Sequence, residues 1–421
     1  MINKKSIQAV ENSNFNSFFK KPLYSSYCFS NIPALIENCL GINSNLNLPK
    51  DVLGNLPQKY EKVILFFIDG FGWRFVEKFT NHPFLKKIST DGVISKITSQ
   101  FPSTTAAHVT KIHTNLTVGE SGIYEWFYYE PRLDRIITPL FFSFAGDKKR
   151  DSLKKTKINP VEIYPKKTFY QKLKNAGVNS YIFQHQEYTP STYSDIVFKG
   201  GQVFGYKTLA EAIVNLFQIF SIENEKSYYF LYFDKIDSLS HTYGPISTQV
   251  EAEIESFLSI MEKIFLKFFT KSKNTLFLLT ADHGQVEVNP KTTIYLNRKF
   301  PQIKKWIKKN KKGKLLAPAG SCRDMFLYIK EVYLNEAKNY LQEKLKGKAE
   351  VYFTKDLINQ GLFGKKISNE FLNRVGNLVI LSYKGESVWW YQKGRFEQKF
   401  YGHHGGLTEE EIVIPLVILS S

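Results

Sequence analysis

The stretch KVILFFIDGFG, residues 62–72, decides the fold. Val63–Ile68 is an unbroken apolar, β-branched and aromatic run that stops at Asp69-Gly70. Continuous rather than alternating hydrophobicity predicts a strand buried on both faces, the pattern of a parallel sheet covered by helices. The layout recurs downstream. SYYFLYFDKID (227–237) and NTLFLLTADHG (274–284) are apolar runs ending in carboxylates, the second at Asp282-His283-Gly284, and EEIVIPLVIL (410–419) reads as a last strand. TLAEAIVNLFQIF (208–220) and QVEAEIESFLSIMEKIFLKFF (249–269) between them read as helices. This alternation predicts an α/β sandwich with a mostly parallel central sheet.

Outside that frame the texture changes. In the first 57 residues only NIPALIENCLG (31–41) is strongly apolar, and it predicts a short helix stopped at Gly41. Residues 296–395 are basic and hold Trp306, Trp389 and Trp390, two helical segments and the short strand-like pieces DMFLYI, NLVIL and SVWWY. The expected organisation is therefore an N-terminal extension (1–57), a catalytic core (58–295 and 396–421) and a small inserted α+β cap (296–395).

Composition narrows the setting. With 43% hydrophobic residues the 421-residue chain can bury a large core. It has no run of 18 apolar residues, so no membrane-spanning helix is expected. Three cysteines without metal-type spacing, and a polar start without an apolar leader, predict free thiols and a cytoplasmic location. A formal charge of +18 favours anionic partners such as phosphate-bearing substrates, nucleic acid or acidic membranes. The densest patch, IKKWIKKNKKGK (303–314), reads as a solvated basic segment, and charge alone does not make a nucleic-acid-binding protein.

The chemistry lies at the strand ends, where open α/β sheets build their sites. Asp237 and His241 are four residues apart, so one helical turn presents both on one face. Asp282 and His283 are adjacent in a turn before Gly284. Mixed oxygen and nitrogen donors suit Zn²⁺ and, less selectively, Mn²⁺ or Fe²⁺. FPSTTAAHVTKIHT (101–114) places Ser103, Thr104 and Thr105 ahead of a helix-compatible run. A hydroxyl there is either an ordinary N-cap or a nucleophile beside free N–H groups that hold a phosphoryl group. The four aromatics of EWFYYEP (125–131) fit either a stacking slot or a core edge. YGHHGG adds His403 and His404 in a glycine-rich turn.

Taken in order, LFFIDGFG, FPSTTAAH…GESGI, DSLSHTYGP, TADHG and HGGLTEEE-IVIPL resemble the alkaline phosphatase superfamily, in its nucleotide pyrophosphatase/phosphodiesterase branch. The resemblance covers roughly residues 60–295 and 396–421 and implies a three-layer fold with two zinc ions. By that resemblance Asp69, Asp282, His283 and the nucleophile's oxygen bind one ion, and Asp237, His241 and His404 bind the other. It makes Thr105 the nucleophile, through a phosphothreonine intermediate, and leaves His403 at the rim. His108 stands where the branch has an asparagine that contacts a phosphoryl oxygen, so His108 is a candidate substrate contact, with Trp126 as a stacking residue. The implied substrate is a small phosphodiester or nucleotide. A phosphomonoesterase on the same metals is the alternative, disfavoured because no extra arginine is assignable to the site. An inert binding module is the remaining contrast, although all seven ligand positions are filled.

Overall fold

A computed structural model describes residues 1–421. Seven strands form its central sheet: β1 (Lys62–Ile68), β2 (Val93–Thr98), β3 (Asn179–His185), β4 (Gln202–Tyr206), β5 (Ser227–Phe233), β6 (Thr275–Thr280) and β7 (Val413–Ser420). Their spatial order is β2-β7-β6-β1-β5-β3-β4. All neighbours pair in parallel except β7, which runs antiparallel to both β2 and β6. The central strands are buried on both faces, as their unbroken apolar runs require.

Register explains why the site forms where it does. Ile68 of β1 is opposite Phe233 of β5, and Phe67 is opposite Thr280 of β6. Three parallel strands thus end level, and the segments that follow them deliver Asp69, Asp237 (in the first turn of a helix) and Asp282 to one edge. Helix α1 (Thr105–Thr114) and helix α2 (Lys235–Tyr243) start at that same edge.

The predicted helix at 208–220 is Leu209–Ile222, capped by Thr208 with Glu211. The one at 249–269 runs Thr248–Ile260 and then through a wide π turn, Met261–Phe265, to Leu266–Phe269. NIPALIENCLG forms Ile32–Cys39. Near the N-terminus, Asn3 caps helix Lys4–Glu11 and its side-chain amide donates to Ser95 Oγ of β2 at 3.0 Å, so the segment is fastened to a sheet edge.

The basic, tryptophan-bearing region builds a three-stranded antiparallel sheet, Asp324–Leu327, Leu378–Ser382 and Ala349–Phe353, with Leu378–Ser382 in the middle. Successive residues face opposite ways. Met325, Leu327 and Ile380 enter a separate core of 20 buried residues with Trp306, Trp389 and Trp390, whereas Phe326, Val379 and Leu381 enter the main core of 97. The small sheet is therefore welded to the large one by its other face. SVWWY does not join it: Val388–Trp389 pairs in parallel with Ile294–Tyr295.

Candidate active site

Five of the seven predicted ligand side chains form two overlapping donor sets. The donor atoms of Asp237, His241 and His404 lie within 4.8 Å of one another, and so do those of Asp69, Asp237 and His283. Asp237 bridges the two sets. Asp282, the sixth, reaches the second: its Oδ2 is 3.2 Å from His283 Nε2, while Oδ1 accepts from the Gly70 amide at 3.1 Å.

Local structure aims each imidazole. Helix α2 brings Asp237 and His241 onto one face, with His241 Nε2 3.5 Å from Asp237 Oδ2. His241 Nδ1 is 2.8 Å from the Gly402 carbonyl, His404 Nδ1 2.9 Å from the Ser103 carbonyl, and His283 Nδ1 3.1 Å from the Gly284 carbonyl. A carbonyl only accepts, so each Nδ1 carries the proton and each Nε2 presents its lone pair to the carboxylates. His283 Nε2 is 3.4 Å from Asp69 Oδ1, and His404 Nε2 is 3.9 Å from Asp237 Oδ1.

Lone pairs facing lone pairs repel unless positive charge lies between them. Asp69 Oδ1 and Asp282 Oδ2 are buried with no hydrogen-bond partner, a costly arrangement for carboxylates. Donor atoms on one tetrahedral zinc sit about 3.3–3.5 Å apart, close to the separations found here. The residues therefore fit divalent ions held by mixed carboxylate and imidazole donors.

The electrostatics agree. Burial and the neighbouring Asp282 and Asp237 push the Asp69 carboxyl well up, and burial with Asp237 pushes Asp282 up to about 7. Burial drives His283 and His404 well below the ordinary imidazole value, with His108 and His283 respectively adding to it. Asp69, Asp282, His283 and His404 are thus all forced toward neutrality, which divalent cations would reverse for the carboxylates.

Thr105 opens helix α1. Its Oγ1 lies 3.2 Å from His283 Nε2 and 3.5 Å from Asp69 Oδ2. The N-cap residue, Thr104, makes no capping bond, so the first amides of this ten-residue helix are not occupied by a cap. Ser103 is not a cap either: its hydroxyl donates to the Gly406 carbonyl at 2.7 Å and accepts from Gly405 N–H at 3.2 Å, stitching the nucleophile loop to the HHGG turn. Gly405 sits at φ +123°, and a Cβ there would lie 2.6 Å from both Asp324 Oδ1 and Ser321 Oγ. That packing explains the glycine after His404. His403 is half-buried on the pocket wall, its ring 5.2 Å from that of His241.

His108 is corrected. It is fully buried and lines neither chamber at the site. Its Nδ1 donates to the Thr104 carbonyl at 2.8 Å and its Nε2 accepts from the Gln100 amide at 2.9 Å. Both ring nitrogens are spent on the loop before α1, so none is left for a phosphoryl oxygen.

Trp126 lies between two chambers. One, about 440 Å³, has Thr105, Asp237, His241 and His404 together with Phe127, Trp389 and Phe396. The other, about 210 Å³, has Thr105, Asp69 and Tyr232 together with Phe141, Arg150 and Tyr188. EWFYYEP divides its aromatics: Trp126 and Phe127 face the pocket, Tyr128 is buried in the core, and Tyr129 packs on Tyr328. Several contributors had no sequence signal. The Tyr232 hydroxyl donates to Asp69 Oδ2, the Gln285 amide donates to Asp237 Oδ1, and Arg150 lines the smaller chamber. An apolar strand with a tyrosine one residue before its end was the only hint of Tyr232.

A mostly parallel sheet whose carboxyl edge carries carboxylates and imidazoles around a helix-initiating threonine defines an alkaline-phosphatase-like fold. Human and murine ectonucleotide pyrophosphatase/phosphodiesterase 5 share that fold: the human structure aligns with TM-score 0.64 at 16% identity, covering 85% of this chain and 88% of that one. The murine one, an inactive variant in complex with AMP, aligns with TM-score 0.64 at 17% identity and the same coverage. Mouse ectonucleotide pyrophosphatase/phosphodiesterase family member 1 is 25% identical over 296 residues, 65% of this chain but only 29% of that longer protein. Residues 63–407 match the type I phosphodiesterase / nucleotide pyrophosphatase family, and the chain belongs to it. No helix is long and apolar enough to cross a membrane.

Proposed function

We propose that the protein hydrolyses phosphodiester or phosphoanhydride bonds with Thr105 as nucleophile. The observation that carries this reading is the placement of Thr105 Oγ1 against His283 and Asp69, inside a cluster with orphaned carboxylate oxygens. Asp69, Asp282 and His283, with Thr105, would hold one Zn²⁺, and Asp237, His241 and His404 a second, with Mn²⁺ as a possible substitute. When bound, such ions supply the charge that lowers a hydroxyl's pKa and offsets charge on a transferring phosphoryl group.

The chain's own groups do the rest. The uncapped start of α1 offers N–H donors to non-bridging phosphoryl oxygens. Thr105 Oγ1 forms a bond to phosphorus as the bond to the departing oxygen breaks, leaving a phosphothreonine that water then hydrolyses. Gln285 and Tyr232 hold Asp237 and Asp69 in orientation, and Trp126 with Phe127 and Trp389 offers flat surfaces to an aromatic substituent.

The test compares purified protein on bis(p-nitrophenyl) phosphate and p-nitrophenyl phosphate, before and after chelation and re-addition of Zn²⁺ or Mn²⁺. Faster, metal-dependent turnover of the diester supports the proposal. Faster turnover of the monoester transfers the site to phosphomonoesterase chemistry. No turnover of either, with no divalent ion retained, removes the enzyme reading.

A further inference from the structure

Of the two chambers that meet at Thr105, the smaller one contains a guanidinium, Arg150, that makes no side-chain hydrogen bond or ion pair within the protein. The Arg150 guanidinium carbon lies 4.7 Å from the centroid of the Phe141 ring and 5.2 Å from that of Tyr188. Aromatic stacking engages the faces of a guanidinium and leaves its in-plane N–H donors free. Arg150 donates no hydrogen bond within the protein and pairs with no carboxylate, whereas Arg395, the arginine of the larger chamber, is paired with Asp147 at 3.1 Å.

The backbone fixes this placement. Asp151, at φ +64°, turns the chain sharply just after Arg150. Its amide donates to the Phe141 carbonyl at 2.8 Å, and its carboxylate accepts from Thr192 Oγ1 at 2.7 Å. On the other side, Ser143 Oγ donates to the Lys149 carbonyl at 2.9 Å, and Leu153 is fully buried. Arg150 is therefore not a freely sampling surface side chain. Gln184 lines the same chamber, and its side-chain NH2 group donates no hydrogen bond within the protein.

We propose that Arg150, with Gln184, is a specificity-determining contact that binds a second anionic group of the substrate in the chamber beside Thr105 and so favours substrates with an additional phosphate over those without one. This rests on the phosphoryl-transfer reading above and deepens it. Both chambers have aromatic walls, and the smaller one also carries Asp69, Asp234 and Asp237; what sets it apart is the unpaired guanidinium, whose parallel N–H donors suit the paired oxygens of a phosphate.

The experiment measures Arg150→Met and Arg150→Lys on ADP and on bis(p-nitrophenyl) phosphate, which has no second anion. Loss of a charge-assisted contact predicts that Arg150→Met lowers kcat/KM for ADP about ten- to hundredfold while the diester changes by less than about threefold, with Arg150→Lys intermediate. Calorimetry in a Thr105→Ala background gives a readout without turnover: ADP binds about tenfold or more tightly than AMP, and Arg150→Met removes the difference. Parallel losses on both substrates would reduce Arg150 to a structural part, and unchanged ADP handling would equally overturn the proposal. Arg150-dependent ADP binding in a protein that hydrolyses nothing would instead refute the phosphodiesterase reading and leave the anion chamber standing. Diester hydrolysis with Arg150-independent ADP binding would do the reverse.

Discussion

Thr105 Oγ1 and His283 Nε2 face each other at 3.2 Å, although 178 residues separate them in the chain. The contact depends on strands β1 and β6 ending level and on α1 beginning at the same sheet edge. The hydroxyl is thus set by the fold's most rigid elements rather than by a loop. Thr105→Ala should lower turnover about a thousandfold or more while leaving the far-ultraviolet circular dichroism and metal content nearly unchanged. Thr105→Ser should keep measurable activity. An active Thr105→Ala protein would move the nucleophile elsewhere.

The two adjacent histidines of the HHGG turn predict unequal outcomes. His404 stacks on His283 with ring centroids 3.5 Å apart at 10° and aims Nε2 at Asp237. The His403 Nδ1 instead folds back to the His404 backbone at 3.0 Å, and its ring lies on the pocket wall. His404→Ala should therefore reduce bound zinc, read by elemental analysis, and cut turnover at least about a hundredfold. His403→Ala should change both by less than about tenfold. Equal and mild effects would take His404 out of the ligand set.

His108 predicts a stability phenotype rather than a substrate phenotype. Removing a fully buried ring with two hydrogen bonds to the α1 approach should cost about 2–4 kcal/mol in chemical denaturation, through the cavity and the stranded Gln100 amide. Burial lowers its pKa from 6.5 to about 3, so the unfolded chain binds a proton in that interval and the folded one does not. Its contribution is therefore present above pH 6.5 and is lost as pH falls toward 3. A His108→Ala protein of wild-type stability and raised KM would restore the substrate-contact role.

The ease with which each part was read has physical causes. Strand β1 was legible because Val63–Ile68 is buried on both faces and carries no polar residue. Strand β2 is equally buried yet includes Ser95 and Lys96, which accommodate the N-terminal segment and Glu409, so its apolar run is broken. Asp237 and His241 were visible because their spacing is a helix period. The carbonyls of Ser103, Gly284 and Gly402 that fix the imidazole tautomers have no side-chain signature at all. Arg150 sits in GDKKRD, where nothing distinguishes a chamber-lining guanidinium from its solvated lysine neighbours. Sequence register places His108 three residues past Thr105 but does not say which way its ring turns, and in the fold it turns into the core.

Glu125 and Asp324 are both fully buried behind the HHGG turn. Ser321 Oγ donates to Asp324 Oδ1 at 2.6 Å, the Trp126 amide donates to Glu125, and Glu125 Oε1 and Asp324 Oδ2 are left without partners among the hydrogen bonds. Burial pushes Glu125 up to about 8, and burial with the neighbouring Glu125 carries Asp324 well above the carboxylate range. A carboxyl with a raised folded pKa holds a proton that the unfolded chain releases, so its contribution to stability is full below pH 4.5 and is lost as pH rises to 8. The loss approaches about 1.4 kcal/mol per pH unit for one fully shifted group. Glu125→Gln presents a neutral side chain of the same shape. Its melting temperature should match wild type near pH 5 and exceed it progressively toward pH 8, in protein prepared identically. A constant difference across that range would mean that Glu125 is ionised in the fold, and would call for a cation between the two acids instead of a proton.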